Sequence, residues 1–115
     1  MKSLLTVVVA MLVAMAVVLM VPSLSAQKAD AAAGKAAYTK RCASCHGPEG
    51  EGKEAIAKMM KVQMKHLGAK EVQAKTDAQL KKDMTEGVGK MKAVAGMNDA
   101  EVANIIAFMR TLAKK

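Results

Sequence analysis

The sequence predicts an all-α domain of about four helices. Three observations carry that expectation: apolar residues recur at the helical period of about 3.6 in several stretches, capping patterns open two of them, and no stretch beyond the N-terminal leader reads as a convincing strand. The first helix is expected over residues 30–42, led by Asp30, an acidic side chain that suits the positive end of a helix dipole. Gly34 and Tyr38 share one face of it. Glycine inside a helix costs about 1 kcal/mol relative to alanine, so Gly34 suggests a place where another backbone comes close.

Residues 47–52 are dense in glycine and other turn formers and read as a loop. Ile56, Met59, Met60, Met64 and Leu67 then recur at helical intervals, which predicts a second helix over residues 53–67 ending near Gly68, with Glu54 and Lys58 one turn apart as a supporting pair. Thr76-Asp77-Ala78-Gln79 is a capping box that opens a third helix, carrying Leu80 and Met84 on one side and ending near Gly87. Asn98-Asp99-Ala100-Glu101 opens the fourth. Val102, Ile105, Ile106, Met109 and Leu112 form its apolar face, and Arg110, Lys114 and Lys115 suit a helix C-terminus. Residues 87–96, before that cap, form a glycine-flanked loop that carries Met91.

Ahead of the domain, Met1 and Lys2 give a basic start, residues 4–21 are an uncharged apolar run, and residues 22–26 are small or turn-forming. This pattern predicts a secretory signal peptide over residues 1–26, cleaved after Ala26 or Ser25, and a domain over residues 27–115. An uncleaved membrane anchor over residues 4–21 is the alternative, because that run has the minimum length for a spanning helix. The small-residue exit favours cleavage, and export places the domain in the periplasm; a membrane-anchored form facing the periplasm is the alternative.

The part that remains is short for a self-sufficient hydrophobic core, and Tyr38 and Phe108 are its only aromatic side chains. The 115-residue chain carries 18 Lys and Arg against 10 Asp and Glu, a formal charge of +8. Such an excess can attract nucleic acid, anionic lipid or an acidic protein. Export and the lack of an aromatic-basic pattern argue against nucleic acid, and the even spread of lysines makes much of the charge a solvated surface.

The chemistry is carried by Cys42-Ala43-Ser44-Cys45-His46. Two thiols three positions apart on a helical turn reach the two vinyl groups of one porphyrin, and the adjacent imidazole then lies close to the iron. Both cysteines of the chain are in this pentapeptide, which leaves none for a disulfide framework or a four-thiolate zinc site. A thioredoxin-like dithiol would need a βαβ setting that the flanking helical patterns do not provide. The cofactor is therefore read as one haem c attached through Cys42 and Cys45. A buried porphyrin would supply the interior that the side chains lack.

His46 is expected to bind the iron through a neutral ring nitrogen, its other nitrogen donating to an acceptor that the sequence does not identify. A six-coordinate carrier needs a second ligand, and a methionine thioether is a soft donor that raises the potential. Met91 is the leading candidate, because its loop, Gly87-Val88-Gly89-Lys90-Met91, can bend a side chain towards iron without breaking a helix. Met59, Met60, Met64, Met84 and Met109 sit at core-like helical positions, where packing is the default explanation. Met97, just before the Asn98 cap, is the rival; His66 or an open position completes the set of alternatives.

The order of these parts resembles class I cytochrome c, the small monohaem electron-transfer fold, over about residues 30–113. The likeness rests on Gly34 and Tyr38 ahead of the haem motif, the glycine-rich loop after it, Gly89-Lys90-Met91-Lys92-Ala93, and Phe108 in an apolar final helix. It implies that the first and last helices cross closely, with Gly34 and Phe108 in the roles of facing glycine and aromatic, and that Met91 is the axial methionine. Lys92 stands where the family's ligand loop commonly has proline, which implies a less rigid loop. The segment after the haem motif also lacks the proline whose carbonyl commonly receives the proximal histidine's proton.

These readings converge on an extracytoplasmic single-electron carrier rather than an enzyme, a soluble monomer that serves acidic redox-partner proteins, membrane-bound ones included. Lys40, Arg41, Lys90 and Lys92 would steer such partners if they project around an exposed haem edge. The alternative is a five-coordinate haem enzyme, or a gas- or peroxide-responsive haem protein, in which Met91 departs to admit a ligand. A peroxidase would want a base and a cationic helper above the iron, and no spacing in the sequence supplies them.

Overall fold

The computed structural model describes residues 1–18 and 28–114. Seven helices order these residues, and the sole extended pairing among them is an isolated bridge between Val88 and Met91. α1 (Lys2–Val18) lies in the N-terminal apolar run, with Leu4, Leu5 and Met11 exposed. No helix among the described residues is long and apolar enough to cross a membrane. The expected cleavage points at Ser25 and Ala26 lie outside the described residues.

The domain contains α2 (Ala31–Arg41), α3 (Ala43–His46), α4 (Glu54–Met60), α5 (Lys70–Gln73), α6 (Asp77–Glu86) and α7 (Asp99–Thr111). The four expected helices correspond to α2, α4, α6 and α7, while α3 and α5 are single turns. Caps decide where three of the longer ones begin. The Asp30 carboxylate accepts the N–H groups of Ala32 and Ala33, at 2.8 and 3.3 Å, so Asp30 precedes α2 instead of opening it. Thr76 and Gln79 close a full capping box at α6, and Asn98 accepts the Glu101 N–H at 2.8 Å at α7.

The crossing of α2 with α7 organises the core. A Cβ placed on Gly34 would lie 1.8 Å from the Asn104 carbonyl oxygen, so the two backbones touch where a side chain is missing. The Asp30 N–H donates to the Asn104 side-chain oxygen at 2.8 Å and fixes the same crossing. One turn further along each helix, Tyr38 packs on Phe108 with ring centroids 5.0 Å apart. The close crossing is as expected, but its partners differ: Gly34 faces the Asn104 backbone, and the aromatic partner of Phe108 is Tyr38. Leu80 and Met84 from α6 join Tyr38, Val102, Ile105, Ile106 and Met109 in one buried cluster.

The second helix departs from its expected length. α4 ends at Met60, and Lys61 takes a left-handed conformation at φ 54° that turns the chain out of the helix. Tertiary contacts override the periodicity of residues 61–67. The Leu67 N–H donates to the Gly50 carbonyl at 2.9 Å, and Met64 Cβ would lie 2.9 Å from a Cβ on Gly52. A continuing helix would turn the Leu67 N–H back onto its own backbone. Met59 is consequently 71% exposed and holds no core position. The Glu54–Lys58 pair does form, at 2.7 Å, on the solvent face of α4.

Gly68 makes a second backbone-on-backbone contact. A Cβ there would lie 1.9 Å from the Leu112 carbonyl oxygen, and the Lys114 N–H donates to the Gly68 carbonyl at 3.0 Å. Gln73 donates to the carbonyls of Leu67 and Met109, and Arg110 donates to those of Gln73 and Lys75. These bonds tie the irregular segment after α4 to the end of α7.

Replacing Gly34 by alanine is expected to lower stability by about 3 kcal/mol, because neither backbone can yield without moving a whole helix. Urea unfolding of the haem-loaded protein measures this; an unchanged midpoint would show that the crossing tolerates separation.

Candidate haem site

α2, α3, the segment after α4, α6 and the loop between α6 and α7 enclose a cavity of about 580 Å³. Cys42, Cys45, His46 and Met91 all line it, although Met91 is distant from the other three in sequence. Met60, Met64, Met84 and Met109 line it too, the last two as buried core residues. Met97 does not reach its wall and packs against the buried cluster. His66 is also off the wall; its Nδ1 accepts the Gly68 N–H at 2.8 Å.

The cysteine wall is positioned by backbone geometry. Cys42 ends α2, its N–H donating to the Tyr38 carbonyl at 2.8 Å, and it opens the single turn α3 that presents Cys45 and His46. Both thiols are free and half-buried. Burial pushes the Cys42 thiol up to about 11, which keeps it protonated at neutral pH. After His46 the chain reverses at Gly47, where φ is +77°, and folds back on the turn: the Gly52 N–H donates to the His46 carbonyl at 2.7 Å and the Lys53 N–H to that of Cys45 at 2.9 Å. The buried Tyr38 hydroxyl donates to the Gly47 carbonyl at 2.6 Å and locks the reversal to α2.

Burial also lowers the His46 pKa below its usual value, favouring the neutral imidazole that a metal requires. Its Nδ1 is buried with no hydrogen-bond partner among the described residues.

Met91 sits at the end of a tight turn. The Val88 and Met91 backbones exchange both hydrogen bonds, at 3.0 and 2.9 Å, and Gly89 supplies φ +56° at the first central position. Gly87, at φ +85°, leaves room for the Met91 carbonyl, which would lie 2.7 Å from a Cβ there. Downstream, the Val94 N–H donates to the Met84 carbonyl at 2.8 Å. Arg41 fastens the rest of the loop: it donates to the carbonyls of Ala95 and Gly96 at 3.1 and 3.2 Å and pairs with Glu101 at 2.7 Å. Arg41 is thus engaged in holding the loop, whereas Lys40 and Lys92 are exposed.

The wall is largely apolar, but it also carries Arg41, Lys65, Lys75, Lys90 and Lys92 against a single carboxylate, Asp83, which Lys75 engages. An apolar cavity with cationic margins, two thiols and a neutral imidazole fits a flat macrocycle bearing carboxylates at its edge. Residues 31–113 match the family model described as Cytochrome c. The chain belongs to the cytochrome c family. It is also similar to cytochrome c-554(547) of Halothiobacillus neapolitanus, 35% identical over 91 residues that cover 72% of this chain and 97% of that relative.

As a cytochrome c, the protein is an electron carrier whose haem c is held covalently, and Cys42 and Cys45 are its only cysteines. The residues that hold this cytochrome c around its cavity were only partly visible in advance. Tyr38 was marked by its spacing from Gly34, but its bond to Gly47 was not. Gln73 and Arg110 brace the wall across more than thirty residues of sequence, a relation without a local signal. Gly68 carried a signal, a glycine at the close of an apolar run, that reads equally well as a helix stop.

Tyr38 is the chain's one tyrosine, and burial raises its pKa well above the usual 10, with Glu51 adding to the rise. The folded phenol keeps its proton to higher pH than the unfolded one. Its contribution to stability is therefore complete below pH 10 and is lost as pH rises beyond it. Ultraviolet titration is expected to show no phenolate at pH 10 in the folded protein and ordinary titration in urea. Replacing Tyr38 by phenylalanine should remove that signal and cost about 1–2 kcal/mol by stranding the buried Gly47 carbonyl.

Proposed function

We propose that this cytochrome c is an extracytoplasmic single-electron carrier whose iron is bound axially by His46 and Met91. The observation that carries the reading is that a neutral, half-buried imidazole and a loop-borne thioether line the same cavity as the two attachment cysteines. When bound, the haem supplies a one-electron couple. The chain's part is to hold two ligands in place in both oxidation states and to keep water away from the cavity. The backbone bonds around His46 and the paired backbone of Val88 and Met91 support the first task, and the apolar wall supports the second. A soft thioether on one side favours the reduced state and a raised potential.

Residues 1–26 support export to the periplasm as a cleaved signal peptide. Of the four cations first considered, Lys40 and Lys92 are exposed and make no side-chain hydrogen bond among the described residues, and they suit an acidic partner, with a rate that falls as salt rises. The ligand-responsive alternative receives less support, because among the described residues that line the cavity His46 is the one histidine, and Asp83 is engaged by Lys75.

Optical spectra of the oxidised and reduced protein, with and without carbon monoxide, test the ligand pair. The parent protein and Met97→Ala are expected to show the methionine-to-iron charge-transfer band and to exclude carbon monoxide. Met91→Ala is expected to lose the band, bind carbon monoxide and fall in potential. A band that survives Met91→Ala and disappears in Met97→Ala would reassign the ligand, and a high-spin parent protein would replace the carrier by the five-coordinate reading.

A further inference from the structure

We propose that Lys90 is a positioning residue: its ammonium clamps the Met91 turn to the C-terminus of α4 and so holds the Met91 sulfur in the cavity. The inference rests on the reading of Met91 as an axial ligand. Lys90 Nζ donates to the Met60 carbonyl at 2.8 Å, across thirty residues of sequence. Met60 is the last residue of α4. The final carbonyls of a helix lack intrahelical donors and lie at the negative end of its dipole, so a cation there satisfies both needs. The left-handed Lys61 turns the following chain away, and the Lys90 side chain is the donor that reaches this carbonyl among the described residues.

The rest of the loop explains why this bond matters. Its upstream end is held by the Gly87 N–H on the Asp83 carbonyl at 3.0 Å. Its downstream end is held by Val94 on Met84 and by Arg41 on Ala95 and Gly96. Between them, the Val88–Met91 turn bonds to itself; Met91 packs against the buried cluster, while nothing lies within 4 Å of a Cβ on Gly89 and Val88, Lys90 and Lys92 are exposed. Lys90 supplies the turn's one recorded side-chain bond to the opposite wall, from the position next to Met91. Without it the turn is free to swing about its two ends, carrying the Met91 backbone away from the cavity. Lys92 provides an internal control, because it carries the same charge one residue beyond Met91 and has no recorded hydrogen bond among the described residues.

The test uses the haem-loaded, oxidised protein and imidazole as an entering ligand. Two quantities are read: the rate at which imidazole displaces the methionine, and the urea midpoint at which the charge-transfer band disappears. Lys90→Ala is expected to raise the displacement rate about fivefold and to lower the midpoint, the size expected from losing one exposed charged hydrogen bond. Lys92→Ala, which removes a cation from the same cavity margin without breaking a hydrogen bond, should change both quantities clearly less than Lys90→Ala, and Lys90→Arg, which keeps a long cationic donor, should retain slow displacement. Should Lys90→Ala yield no holoprotein, Lys90→Gln, whose amide is too short to reach the Met60 carbonyl, takes its place. Equal behaviour of the residue 90 and residue 92 variants would overturn the clamp while leaving Met91 as ligand. Absence of the band from the parent protein would instead overturn the ligand reading itself.

Discussion

The absence of a side chain at Gly34 is the constraint from which the rest of the domain is built. Because the α2 and α7 backbones meet there, with the Asn104 carbonyl where a Cβ would stand, every residue one or two turns further along α2 has a fixed partner. Tyr38 meets Phe108, Arg41 meets Glu101, and Cys42 arrives at the end of α2 at a defined edge of the core. Any larger residue at position 34 separates the helices and displaces the attachment cysteines with them. The crossing therefore acts on the haem site without touching it.

From that edge outward, the cavity is walled mainly by irregular chain. A flat macrocycle needs walls at several angles, which one straight helix cannot give. The chain answers by ending α4 early, at the left-handed Lys61, and laying residues 62–67 along one side. Gly50 and Gly52 let that segment approach the loop after the haem motif, and Gly68 lets it pass under the end of α7. The apolar periodicity of Met60, Met64 and Leu67 was real but misread. Its side chains face the cavity and the glycine loop, and a helix was the wrong way to bring them there.

This division explains what could be read in advance. Features decided within four residues were legible: the caps at Thr76 and Asn98, the thioether spacing of Cys42 and Cys45, and the turn chemistry around Met91. Gly34 was legible as a demand for close approach, though not as a contact with Asn104. Bonds between distant segments were not, among them Tyr38 to Gly47, Gln73 to Met109, Arg110 to Lys75 and Lys90 to Met60. Cations illustrate the difference best. A charge of +8 reads as a surface for partners, yet Arg41, Lys75, Lys90 and Arg110 serve as fasteners between loops and helices, which leaves the outward field to lysines such as Lys40 and Lys92.

The two sides of the cavity are secured by the same kind of force applied differently. At His46 the backbone carries the restraint: neighbouring N–H groups cover the carbonyls of Cys45 and His46, and Tyr38 covers that of Gly47. These bonds fix the turn from which the imidazole projects. At Met91 the backbone is again paired, with Val88; the Met91 side chain packs against the buried cluster, while the exposed part of the turn depends on side chains from elsewhere. A half-buried turn that carries an attachment cysteine and a loop held mainly from its ends differ in how easily they move. The asymmetry follows from the fold, because the haem motif grows directly out of the α2–α7 crossing and the methionine loop is reached only through α6.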